Sequence, residues 1–78
     1  MDLNASDPDE SASLTTPLSE RECDVLQWIK QGKTNWEIAH ILGIRERTVK
    51  YHVRNILLKL GASSRAHAIA LAMSLGIV

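Results

Sequence analysis

Two short stretches, Ser19-Glu20-Arg21-Glu22 and Thr34-Asn35-Trp36-Glu37, carry the same device for starting a helix, and a glycine, Gly32 or Gly43, follows each run. In such a capping box the hydroxyl accepts from the backbone N–H three residues on, and the glutamate there reaches back to the N–H of the capping residue. Glycine ends the helix because it enters the left-handed region without a Cβ clash. A chain punctuated in this way is confined to short helices in quick succession. The first is predicted from Glu20 to about Gln31, with Val25, Leu26 and Ile29 on one side. The second opens at Thr34, turns Ile38, Ala39, Ile41 and Leu42 inward, and closes at Gly43.

A third helix is predicted from about Glu46 to Leu60, since Val49, Val53, Ile56, Leu57 and Leu60 fall in one stripe at helical spacing. With Val49 at 0°, Arg47, Lys50, Tyr51, Arg54 and Leu58 lie between about 100° and 200°, on the opposite side. A fourth, from about Arg65 to Leu75, turns Ala68, Ile69, Ala72 and Leu75 one way and His67, Ala70, Leu71 and Ser74 the other. The second set is unusually apolar for a surface facing water. The fold class is therefore all-α, a compact four-helix domain containing a helix-turn-helix, because only "GIR" separates the second helix from the third.

Charge narrows what such a domain does. The 78 residues carry nine bases and nine acids, but four acids and no base stand in residues 1–17, leaving nine bases against five acids in residues 18–78. The acidic start, rich in Ser, Asp and Pro, is expected to be a disordered tail or linker, and residues 18–78 to form the folded unit. Within it, Arg45, Arg47, Lys50, Arg54 and Lys59 meet one acid, Glu46, between Gly43 and Leu60. In a helix-turn-helix the second helix enters the DNA major groove while the first crosses the backbone, and cationic side chains reach phosphates or the O6 and N7 of guanine. Double-stranded DNA is the expected partner.

Other classes find little to rest on. A chain of this size buries only roughly 60% of its unfolded surface. The single cysteine, Cys23, has no partner for a disulfide, and no Cys/His cluster has zinc-ligand spacing. No activated nucleophile or phosphate-binding glycine loop is visible, so no enzyme activity and no cofactor are expected. No apolar run has the length of a membrane span, and the first residues are acidic where a secretory signal is basic. A cytoplasmic protein is expected.

Beyond these patterns, "GKTN.EIA", "TVK.H" and "KLG...R..A" follow one another at intervals that resemble the DNA-binding domain of LuxR-type bacterial transcription regulators, from Leu18 to Val78. The "W...GKT" run is similar to the quorum-sensing branch. The resemblance implies that the third helix reads DNA and the fourth makes a dimer contact. Lys50 and Arg54 match positions that make base or phosphate contacts in the family, with Tyr51 in the variable slot between them. Base contact is expected of Lys50 and Arg54, and of Tyr51 and Arg47 beside them. The resemblance further implies phosphate contacts for Thr34 and Thr48, near helix N-termini that favour anions, and for Lys33. Arg45 stands where the family usually has a capping serine or threonine, so a cap worth roughly 1 kcal/mol is expected to be missing and the arginine to be available to phosphate. His67, Ala70, Leu71 and Ser74 form the expected seam of a weak homodimer that pairs on DNA.

Several residues admit more than one reading. Glu22 and Arg65 both fall on inward sides and are expected to pair; otherwise both snorkel to solvent. Trp36 and His40 project together from the second helix, either toward DNA backbone, RNA polymerase or another domain, or simply into solvent. Trp28 belongs at the edge of the core, His52 beside the stripe of the third helix, and Cys23 reads as a small hydrophobe among acids. The rival function is a small adaptor that pairs with a full-length regulator through the fourth helix.

Overall fold

The computed structural model describes residues 18–78, which form four helices: α1 (Glu20–Lys30), α2 (Asn35–Leu42), α3 (Glu46–Leu60) and α4 (Arg65–Ser74). The acidic segment 1–17, expected to be a tail or linker, lies outside the described residues. Both capping boxes are made. The Ser19 hydroxyl accepts from the Glu22 N–H at 3.1 Å while the Ser19 N–H donates to Glu22 Oε1 at 2.9 Å. In α2, the Glu37 N–H donates to Thr34 Oγ1 at 3.1 Å and the Thr34 N–H to Glu37 Oε1 at 2.8 Å. Gly43 takes φ +70° where α2 stops, which reverses the chain into the short turn before α3.

Two ends differ from these. Arg45 occupies the cap position of α3 and makes no side-chain cap bond, as expected from its lack of a hydroxyl. The start of α4 has a cap that the sequence reading passed over. Ser64 Oγ accepts from the His67 N–H at 3.0 Å, and the Ser63 N–H donates to His67 Nδ1 at 3.0 Å. A histidine thus takes the reaching-back role that glutamate has in α1 and α2.

α3 is the axle of the domain, packed against by α1, α2 and α4. Its Val49, Val53 and Ile56 meet Val25 and Leu26 of α1, Ile38 and Ala39 of α2, and Ala68 and Ala72 of α4 in one buried cluster. The alanines of α4 have little side chain to bury, so that helix can lie close. Trp28, Ile29, Leu57, Leu60 and Ile69 pack around the cluster, Trp28 at its edge as expected. Among the described residues no helix is long and apolar enough to cross a membrane.

Two apolar residues expected inside are outside. Ile41 is 44% exposed. Ile38, Leu42 and Ala39 span an arc of about 100° on α2 that faces the core, and Ile41 sits about 60° beyond its edge. Leu75 is 65% exposed, because α4 ends there and Gly76, at φ +74°, turns the chain back. The Ile77 N–H then donates to the Ala72 carbonyl at 2.8 Å, and Ile77 and Val78 pack on the core in place of Leu75.

The charged pair expected between Glu22 and Arg65 is not formed. Glu22 is 2% exposed and accepts from Lys59 Nζ at 2.9 Å, with the lysine side chain itself 7% exposed. Lys59 leaves the surface because it lies on the flank of α3 that faces α1, with a stem long enough to bring its ammonium to the buried carboxylate. Arg65 instead donates from Nη1 to Asn35 Oδ1 at 2.6 Å and from Nη2 to the Lys33 carbonyl at 3.1 Å. It ties α4 to the start of α2 rather than to α1.

Candidate nucleic-acid interface

Burying Val49, Val53 and Ile56 forces the other side of α3 outward, and that side is basic. Arg47, Lys50, Tyr51 and Arg54 are all exposed, Tyr51 at 60%. Lys50 Nζ stands 3.9 Å from Glu46 Oε2 one turn earlier, an exposed pair worth little in water, so the ammonium stays available. The Tyr51 ring meets His52 edge-on at 5.6 Å, which orients the phenol beside the stripe. Leu58 is 70% exposed at the far end of the same side. Of the five cations between Gly43 and Leu60, Lys59 is withdrawn from solvent by its bond to Glu22.

The start of α2 borders this stripe. An open groove runs between them, floored by Val53 and Leu57 and edged by Asn35, Lys50, Arg54, Ser64 and Arg65. Thr34 is exposed and Lys33 half-buried in the turn that enters α2, while Thr48 is half-buried and Arg45 exposed at the start of α3. The Thr34 hydroxyl accepts from the Glu37 N–H at 3.1 Å, and its side chain also faces the Glu37 carboxylate. Glu37 sits below its ordinary carboxylate value chiefly because the Thr34 N–H donates to it. The Thr34 side chain and the nearby Lys33 charge act in the same direction, and burial opposes them.

The remaining candidates are dispersed. His67, Ala70 and Ser74 are exposed on α4 and Leu71 is half-buried, so the four share a face turned from the core. Trp36, 61% exposed, stacks on His40 with ring centroids 5.3 Å apart and planes at 14°. Cys23 is half-buried. Burial pushes its thiol above the ordinary value, Asp24, Glu22 and Glu20 add to this, and Lys59 partly offsets it. Such a thiol is a packing group and a poor nucleophile. Among the described residues no three His, Cys, Asp or Glu side chains gather in a way that could hold a metal ion.

The sequence reading missed Asn35 and Arg65 as partners. Both stand inside the quoted motifs, Asn35 ending "GKTN" and Arg65 supplying the arginine of "KLG...R..A". Their place in those motifs was the available signal, but nothing in a linear pattern joins residues thirty positions apart.

Two consecutive helices joined by a glycine turn, the second with a buried apolar side and an exposed basic one, define a helix-turn-helix domain. A family model described as "Bacterial regulatory proteins, luxR family" matches residues 16–72, and the chain belongs to that family. Its members are DNA-binding transcription regulators and not enzymes. The chain is 52% identical over 61 residues to the quorum sensing-dependent transcriptional regulator RpaR of Rhodopseudomonas palustris, covering 78% of this chain and 25% of that protein. It is 53% identical over 60 residues to the transcriptional activator PhzR of Pseudomonas fluorescens, covering 77% and 25%. A crystal structure of the response regulator ChrA, from a heme-sensing two-component system, superposes with a TM-score of 0.79 at 37% identity, over 90% of this chain and 35% of that one. The chain therefore spans about a quarter of the length of the curated relatives it matches.

Proposed function

We propose that this chain is a sequence-specific transcription regulator that docks α3 in the major groove of double-stranded DNA. The observation that carries the reading is the exposed basic side of α3, set against a buried apolar side and bordered by the start of α2. The roughly 12 Å groove admits one helix. Lys50 and Arg54 are one helical turn apart, about 6 Å along the axis, which suits contacts to bases about two steps apart. Both are donors only, matching the acceptor edge of guanine, with Tyr51 and Arg47 as flanking base contacts.

Lys33, Thr34, Thr48 and Arg45 hold the domain to phosphates in this reading. Thr34 contributes its place at the start of α2 and Thr48 its place in the first turn of α3, where the helix dipole favours anions, and Lys33 and Arg45 contribute their charge. α4 pairs two copies through His67, Ala70, Leu71 and Ser74, and so small a patch supports pairing on DNA rather than a tight dimer in solution. Likeness to the quorum sensing-dependent regulator RpaR supports a role in a quorum-sensing circuit. A transcription regulator of this family would work in the cytoplasm, where RNA polymerase is a further candidate partner.

The test is selection of bound duplexes from a random pool, with the affinity of the winner followed against salt. A two-fold symmetric site, a large margin over random DNA and a steep fall with salt are expected. In the selected site, Lys50→Ala and Arg54→Ala each cost about 1 to 3 kcal/mol of discrimination. Equal losses on selected and random DNA would reduce both residues to phosphate contacts, and a pool without enrichment would end the specific reading.

A further inference from the structure

Arg65 is the side chain whose position the proposed DNA contacts leave unexplained. It begins α4, yet its guanidinium turns away from that helix and reaches the turn before α2. Nη1 donates to Asn35 Oδ1 at 2.6 Å and Nη2 to the Lys33 carbonyl at 3.1 Å. These two acceptors flank Thr34. The rest of the turn is held locally: the Lys33 N–H donates to the Trp28 carbonyl at 3.0 Å, the Thr34 N–H to Glu37 Oε1, and the Ile38 N–H to the Thr34 carbonyl at 2.9 Å. Without Arg65 the peptide that joins Lys33 to Thr34 is held on its N–H side alone.

We infer that Arg65 is a positioning residue for the phosphate clamp, a two-pronged brace that fixes the Lys33–Thr34 peptide and with it the direction of the Lys33 ammonium and the place of Thr34 at the start of α2. The chemistry suits arginine. Its planar fork carries two donors at fixed spacing onto two acceptors at once, where a lysine ammonium is a point charge on a flexible stem. Arg65 also edges the groove shared with Lys50 and Arg54, so the brace lies between the clamp and the base-reading side of α3. Two of its donors, one on each terminal nitrogen, are directed at protein acceptors, and it acts on DNA through its neighbours. Because it is the first residue of α4, it also couples the helix proposed to pair two copies to the turn proposed to grip the backbone.

The inference rests on the proposed phosphate role of Lys33 and Thr34, and the test separates the two. Binding of the whole chain to a duplex selected from a random pool, and to a random duplex of equal length, is measured against salt for Arg65→Ala, Arg65→Lys, the pair Lys33→Ala with Thr34→Ala, and all three alanines together. Circular dichroism and thermal melting establish that each variant is folded. Arg65→Ala is expected to weaken both duplexes equally, by roughly tenfold, as hydrogen bonds to charged groups are lost. It also lowers the slope of log affinity against log salt by about 0.9 for each phosphate released. Arg65→Lys keeps the charge but not the fork and falls between. In the Lys33→Ala, Thr34→Ala background, Arg65→Ala has no further effect, which neither a general loss of stability nor a direct DNA contact would produce.

An unchanged salt slope in folded Arg65→Ala overturns the brace, as does a loss that simply adds to that of the clamp pair, which would make Arg65 a DNA contact itself. Full retention of affinity by Arg65→Lys also overturns it, since charge alone would then suffice. If the Lys33→Ala, Thr34→Ala pair binds both duplexes with native affinity and slope, the clamp reading fails first and removes the brace with it.

Discussion

Lys50 and Lys59 stand on the same helix and have opposite fates. Lys50 keeps 64% of its side chain in solvent, with Glu46 at a loose 3.9 Å; Lys59 keeps 7%, with Glu22 Oε1 at 2.9 Å. The two flanks of α3 therefore use one residue type for different ends. On the outward side, cations are left weakly engaged, so that an external polyanion meets little competition from within. On the inward side, a cation is desolvated to fix the end of α3 against the start of α1. A count of basic residues along α3 treats these as one population, and it overstates the charge presented to a partner by one.

That contrast is broken most severely at Glu22. Glu22→Ala removes the partner of a buried ammonium and one half of the α1 capping box, and is expected to destabilise the domain by about 3 to 5 kcal/mol in urea unfolding. Lys50→Ala, made as its counterpart, is expected to stay within about 0.5 kcal/mol of native stability. A stability loss at Lys50 comparable to that at Glu22 would erase the distinction between the two flanks.

A smaller effect, of opposite sign, is expected at the start of α3. Arg45 already has the extended backbone of a cap, φ −79° and ψ 150°, but makes no side-chain cap bond. Arg45→Ser supplies the missing acceptor and is expected to raise stability by about 1 kcal/mol while weakening DNA binding through the lost charge. Equal gains in stability and affinity would remove Arg45 from the proposed phosphate contacts.

The smallest effect is a pH dependence at α2. Glu37 is more acidic in the folded domain than in the unfolded chain, so its contribution is present above the unfolded value and is lost as pH falls through the folded one. Thermal melting between neutral and acidic pH is expected to show the native domain losing more stability than Glu37→Gln does. Parallel curves for the two proteins would mean that the Thr34 box carries no linked proton.

Much of this was legible in the linear chain. The capping boxes at Ser19 and Thr34, the glycine stops, the apolar stripe of α3 and its basic opposite side follow from local hydrogen bonding and from 3.6-residue periodicity, and the motifs pointed to the family that the comparison with known proteins established. The misplacements share one cause. Ile41 and Leu75 lie at the margin of a face or the end of a helix, where periodicity gives a direction but not a neighbour. Glu22 was placed on an inward side, but its partner was sought on the wrong helix, because Lys59 and Arg65 are both long cations and only packing decides which of them meets the carboxylate.

Local chemistry, then, determined where α1 and α2 start and stop and which side of α3 is turned to water. Capping and periodicity act over three or four residues and can be read in order. The tertiary structure decided that Lys59 belongs to Glu22 and Arg65 to Asn35 and the Lys33 carbonyl. These bonds join residues thirty or more positions apart, and the choice between partners of like charge is made by how closely the helices approach, a distance no short-range pattern encodes.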